Sequence, residues 1–201
     1  MSVEPTIDEP LVTRVTVVGG KSAGIATRYL KQKPTHTRDT HLVLNAGSCK
    51  KPKRKISAAT LRSLAYALQT TKHPVTLADV QSNLIQWNAS PLQRTEFFSE
   101  LGRIPLLKTF IYRENEYSTN GVSIVASLLQ RARNLKCLRW VGVFRGRVKD
   151  FQSLAKSLTS HPCLSEIEFK PVVDEKKRSE SCTVQKKNIF LAALRLSLIH
   201  I

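Results

Sequence analysis

Apolar residues recur along this chain at a long and nearly fixed interval. Leu107, Phe110 and Tyr112 are followed by Leu135, Leu138, Trp140 and Val143, and then by Leu164, Ile167, Phe169 and Val172. The second apolar position of each run steps by 28 and then 29 residues. Within a run the period is two, which marks a short strand with its outer side chains inward and the middle one outward. Between the runs the period changes to that of a helix. A repeat of this length marks stacked supersecondary units, none of which can bury its apolar face alone.

Earlier runs extend the array. The second apolar position is read as Leu42, Val75, Phe110, Leu138 and Ile167, which makes the first two units longer than the others. The strand cores are then Leu42-Val43-Leu44, Val75-Thr76-Leu77, Phe110-Ile111-Tyr112, Leu138-Arg139-Trp140 and Ile167-Glu168-Phe169. A helix is predicted after each. Ser57 is the N-cap of the first, whose stripe is Leu61, Leu64, Ala65 and Leu68. Ser90-Pro91 supplies N-cap and N1 for the second, which carries Phe97, Phe98 and Leu101. Val122, Val125, Leu128 and Leu129 mark the third helix, and Phe151, Leu154, Ala155 and Leu158 the fourth. A fifth begins near Ile189 and Phe190.

The pattern from Leu107 to Tyr117, with Asn115 at the polar position, resembles the leucine-rich repeat consensus L-x-x-L-x-L-x-x-N-x-L. Full helices and a period near 28 resemble the ribonuclease-inhibitor-like class. The resemblance covers residues 39–195. It departs from the consensus where Asp39 and Lys72 replace the leading Leu, and where Gly47, Val80, Val143 and Val172 replace Asn. It implies an α/β solenoid, a short horseshoe arc with parallel strands on the concave side and helices on the convex side. About five units are expected over 39–195, preceded by a cap or poorly ordered basic segment at 1–38. Val15-Thr16-Val17-Val18 reads as a strand within that segment and Ala23 to Leu30 as a short helix. Leu196-Ser197-Leu198-Ile199-His200-Ile201 resembles a translated sequencing adapter, so native sequence is expected to end near Arg195.

Solenoids of this kind usually act as binding surfaces, through the outward residues of their strands. The middle column reads Val43, Thr76, Ile111, Arg139 and Glu168, and the next Asn45, Ala78, Arg113, Val141 and Lys170. Ile111, Arg113, Arg139, Val141, Glu168 and Lys170 are therefore expected to form a protein-binding face, an apolar centre inside a mixed-charge surround. Leucine-rich repeats of this class occur in GTPase activators, immune receptors and ubiquitin-ligase adaptors, and the sequence selects none of these.

Charge adds a second candidate. The chain has 32 Lys and Arg against 15 Asp and Glu, a net charge of +17, which favours an acidic partner. Lys50, Lys51, Lys53, Arg54 and Lys55 resemble a nuclear-import signal and would also grip phosphates. Lys176-Lys177-Arg178 and Lys186-Lys187 form a second basic tract. Nucleic-acid binding through residues 50–55 and 176–187 is thus the alternative to protein binding, against the plainer reading of solvated loops.

Other motifs carry less. Gly19-Gly20-Lys21-Ser22 follows a β-like run, but Val15 stands where a P-loop needs its first glycine, so it reads as a turn. The histidines His36, His41, His73, His161 and His200 show no ligand spacing, and His73-Pro74 and His161-Pro162 punctuate the repeat. Cys49, Cys137, Cys163 and Cys182 form no C-x-x-C pair. No nucleophile–base arrangement stands out, so neither catalysis, cofactor, metal nor small-molecule substrate is expected. No apolar run reaches membrane-spanning length and residues 1–10 lack a signal-peptide core, which favours cytoplasm or nucleus.

Overall fold

The computed structural model describes residues 12–18, 20–35, 38–44, 56–81, 90–114, 121–142 and 146–171. Six strands alternate with five helices among them: β1 (Thr13–Val17), α1 (Gly20–Lys31), β2 (Thr40–Leu44), α2 (Ala58–Thr70), β3 (Val75–Gln81), α3 (Pro91–Leu101), β4 (Thr109–Arg113), α4 (Gly121–Leu129), β5 (Cys137–Gly142), α5 (Val148–Thr159) and β6 (Glu166–Pro171). All neighbouring strands are parallel, and the sheet order follows the chain from β1 to β6. The helices pack in the same succession, α1 on α2, α2 on α3, α3 on α4 and α4 on α5. Right-handed crossovers that always advance in one direction place every helix on the same side of the sheet. The result is a single α/β domain with one sheet face under helices and the other open.

Local signals explain the helix starts. Ser57 Oγ accepts from the Thr60 N–H at 3.1 Å, capping α2. Ser90 and Gln93 form a reciprocal capping box on α3, with Pro91 at the first position where no N–H is required. Residues 13–31, read from sequence as an atypical leading segment, form a β-α unit in the same sheet. Val15 pairs with Leu42 and Val17 with Leu44, so the sheet begins ahead of residue 39.

β3 departs from the expected register. Thr40 lies opposite Val75, but His41 lies opposite Leu77, so Thr76 is an extra residue in a β-bulge. Beyond the bulge Leu42 pairs with Ala78 and Ala78 with Phe110. Val75 is buried as expected, but past the bulge the inward residues of β3 are Ala78 and Val80, both fully buried, in place of Leu77. An odd shift exchanges the two faces of a strand, so Asp79 replaces Thr76 in the outward column and Gln81 replaces Ala78 in the next. The repeat steps from Val15 to Leu42, Ala78, Phe110, Leu138 and Ile167.

The core lies between sheet and helices. Its aliphatic part runs from Val17, Leu42 and Leu44 through Leu64, Leu68, Leu101, Leu128 and Leu129 to Leu154. From β4 onward it is aromatic. Tyr112, Trp140 and Phe169 occupy one inward register position on β4, β5 and β6, with adjacent ring centroids 6.0 Å apart at both steps. Phe98 of α3 meets Tyr112 edge-on at 5.6 Å. Tilted and edge-on contacts of this kind add about 0.5–1.5 kcal/mol each beyond area burial.

Candidate functional site

The open sheet face is built by the pleat. Every second residue of a strand leaves the core, and parallel pairing lines these residues up in rows about 4.8 Å apart from strand to strand. One row reads Asp79, Ile111, Arg139, Glu168 across β3 to β6, and the next reads Gln81, Arg113, Val141, Lys170. A third, nearer the strand starts, reads Leu77, Thr109, Cys137, Glu166. All six residues expected to form the binding face lie together in the first two rows.

Their charges are matched in pairs. Arg113 grips Asp79 with two nitrogens, Nε at 3.0 Å from one carboxylate oxygen and an NH2 group at 3.1 Å from the other. Arg139 bridges two acids of β6, Glu166 at 3.2 Å and Glu168 at 3.3 Å, and Lys170 reaches Glu168 at 2.7 Å. Ile111 stands between Asp79 and Arg139, and Val141 between Arg113 and Lys170, each half-buried. The mixed-charge surround of Ile111 and Val141 is thus an alternating, locally neutral network.

The ionisation of these groups follows from the pairing. The hydrogen bond to Asp79 raises the Arg113 pKa above its ordinary value, and the bond to Glu166 does the same for Arg139. The hydrogen bond from Lys170 holds Glu168 below the usual carboxylate range. Burial, with Glu166 nearby, pushes the Cys137 thiol up, so it is a poor nucleophile.

Two residues escaped the sequence reading. Asp79 was hidden by the bulge at Thr76. Glu114 is buried just past β4, where it accepts from Trp140 Nε1 at 3.2 Å. Gly121 and Gly142 frame it: a β-carbon on Gly121 would overlap its carboxyl group, and one on Gly142 would meet Glu114 Cβ at 2.5 Å. The signal for Glu114 was present in the sequence, since it continues the inward alternation of Phe110 and Tyr112.

The remaining candidates are soon placed. Val18 N–H donates to Ser22 Oγ at 2.9 Å, and Gly20, Lys21 and Ser22 belong to the first turn of α1. His161 sits in a helix-to-strand connection, bonded at Nε2 to the Ala132 carbonyl at 2.8 Å. Lys50, Lys51, Lys53, Arg54 and Lys55, the tract 176–187, and Asn45 lie outside the described residues. Among the described residues no group of His, Cys, Asp and Glu is arranged to hold a metal ion, and no helix is long and apolar enough to cross a membrane. On the helix side a shallow groove of about 410 Å³ separates α2 from α3, with Leu61, Ala65 and Phe97 among its lining residues. No family model, curated protein or solved structure matches the chain, so the open face has to be interpreted from its own geometry.

Proposed function

We propose that this chain is a non-enzymatic leucine-rich-repeat module of the ribonuclease-inhibitor-like class, and that it binds a partner protein on the open, concave face of its sheet. The observation that carries this reading is the pairing of charge around Ile111 and Val141. An apolar centre ringed by mutually neutralised Asp79–Arg113 and Arg139–Glu166–Glu168–Lys170 groups suits a protein surface, which presents both signs. The mechanism is rigid display, with strand pairing holding each row so that little ordering remains to be done on binding. The presence of the module in cytoplasm or nucleus belongs to the same proposal.

A photo-crosslinking residue at Ile111 is expected to capture one protein from cell extract, and Arg113→Glu with Arg139→Glu to abolish that capture. Arg62→Glu, on the exposed side of α2, is the control and should leave capture intact. An adduct that survives the double charge reversal, or that forms only from α2, removes the open face as the binding site.

A further inference from the structure

The open face is neutralised locally from β3 to β6, and a separate group of cations lies at the approaches to the strands. Five connections lead from a helix into the next strand, at residues 32–39, 71–74, 102–108, 130–136 and 160–165. Together they hold eight Lys and Arg against one acid, Asp39. All eight cations are exposed. Among the described residues only Arg103 of these eight has a carboxylate partner, Glu100 at 3.3 Å. By contrast, the three cations that β4, β5 and β6 place on the open face are all paired.

The connections form one continuous rim, because each is tied to its neighbour. The Lys108 N–H donates to the Thr76 carbonyl at 2.9 Å, the Lys136 N–H to Lys108 at 2.8 Å, and the Ser165 N–H to Lys136 at 2.9 Å. Side chains add further ties: Thr71 Oγ1 donates to the Leu30 carbonyl at 2.8 Å and Asn134 Nδ2 to the Pro105 carbonyl at 2.7 Å. Lys108 and Lys136 therefore hold successive places on a backbone ladder, about 4.8 Å apart. The field of the rim reaches its neighbour: His161 has a lowered pKa, from burial foremost, with Arg133 contributing.

We propose that this N-terminal rim of the sheet, centred on Lys108, Arg131, Arg133 and Lys136 and continuing to Lys72 and Arg38, binds the phosphate backbone of nucleic acid. Exposed cations at the approaches to β2, β3, β4 and β5, all but Arg103 without a carboxylate partner among the described residues, are complementary to a linear polyanion, which carries a charge about every 3.4 Å along each strand. A membrane surface fits less well. Among the described residues the rim exposes Leu106 and, just ahead of β1, Val12, so it has little to insert among lipids. Among the described residues no exposed aromatic ring lies on it for base stacking, so binding tracks phosphates and ignores sequence. The rim is separate from the open face, and the proposal stands whether or not that face binds a protein.

The test is fluorescence anisotropy of the full chain with a labelled 20-base-pair DNA duplex and a 20-nucleotide single-stranded RNA of random sequence, over a range of salt. Binding is expected to weaken steeply with salt. Lys108→Gln with Lys136→Gln should lower affinity at least about tenfold at 50 mM salt and reduce the log–log salt slope by about 2, one per lysine. Arg131→Gln with Arg133→Gln should act alike, and circular dichroism checks that both pairs stay folded. Ile25→Ser, an uncharged change on the exposed side of α1, should leave affinity unchanged. Any of three results overturns the proposal: no binding at low salt, binding insensitive to both rim pairs but lost on neutralising Lys50 to Lys55, or binding to phosphatidylserine vesicles without binding to either oligonucleotide.

Discussion

The indole N–H of Trp140 donates to the buried carboxyl group of Glu114 at 3.2 Å, across the β4–β5 pair and beneath Gly142. Trp140 is fully buried and belongs to the aromatic row of the core, so its one polar atom needs a partner there. Glu114 provides it. Trp140→Phe keeps most of the ring and removes the donor. It is expected to cost at least about 1–3 kcal/mol, the usual consequence of leaving a buried polar group short of a bond. Glu114→Gln keeps an oxygen to accept the indole N–H and should cost less. Urea midpoints at constant m-value read both; equal losses would mean that the hydrogen bond is immaterial.

The glycines near this contact differ in kind from the glycine of α1. Gly142 has φ of +146°, a region that side chains disfavour, and a β-carbon there would meet Glu114 Cβ at 2.5 Å and the Glu114 carbonyl oxygen at 2.7 Å. Gly142→Ala is expected to lose more than about 2 kcal/mol from strain and overlap together. Gly24 lies inside α1, and a β-carbon added there meets nothing within 4 Å. Gly24→Ala should therefore stabilise by up to about 1 kcal/mol, the gain in helix propensity. Thermal melts of the two variants are expected to move in opposite directions.

The alternating apolar pattern made most of the fold legible. From Leu107 onward, local periodicity and tertiary register agree, so Ile111, Arg113, Arg139, Val141, Glu168 and Lys170 fall on one face as their spacing implies. In β3 they disagree. Val75 and Leu77 alternate as an inward pair should, but the sheet must align β2 with β4, and Thr76 bulges to allow it. A bulge is set by strands distant in sequence, and nothing between Val75 and Gln81 announces it. The ion pairs were hidden for the same reason, because Asp79 reaches the open face only once the bulge has turned β3 over. The positive rim was overlooked because its cations come one to three at a time in separate loops, whereas Lys50 to Lys55 form a visible run.

The bulge assigns unequal weight to two residues in a way that reverses the expectation from size. Val80 is fully buried and Leu77 is half-exposed on the open face. Val80→Ala is expected to cost about 2 kcal/mol through lost burial and a residual cavity. Leu77→Ala removes a larger side chain but should cost less than about 1 kcal/mol. Chemical denaturation of the two variants measures the order directly; a greater loss at Leu77 would restore the unbulged register.

His161 makes stability sensitive to pH. A carbonyl oxygen can only accept, so Nε2 carries the proton in its 2.8 Å bond to Ala132. Nδ1 then accepts from the backbone N–H groups of Leu164 at 3.1 Å and Cys163 at 3.3 Å. Protonating Nδ1 turns two attractions into two repulsions and frees the connection that leads into β6. Burial foremost, opposed by the Ala132 bond and aided by Arg133, lowers the pKa of His161 from its ordinary value of 6.5. The folded chain thus binds this proton less readily than the unfolded chain. The stabilisation from His161 is complete above pH 6.5, falls as the pH drops below that value, and is exhausted below the folded-state pKa. Melting temperatures between pH 7.5 and 5 should decline more steeply for the native chain than for His161→Gln, which has no proton to take up. Parallel declines would show that the His161 bracket contributes nothing to the pH response.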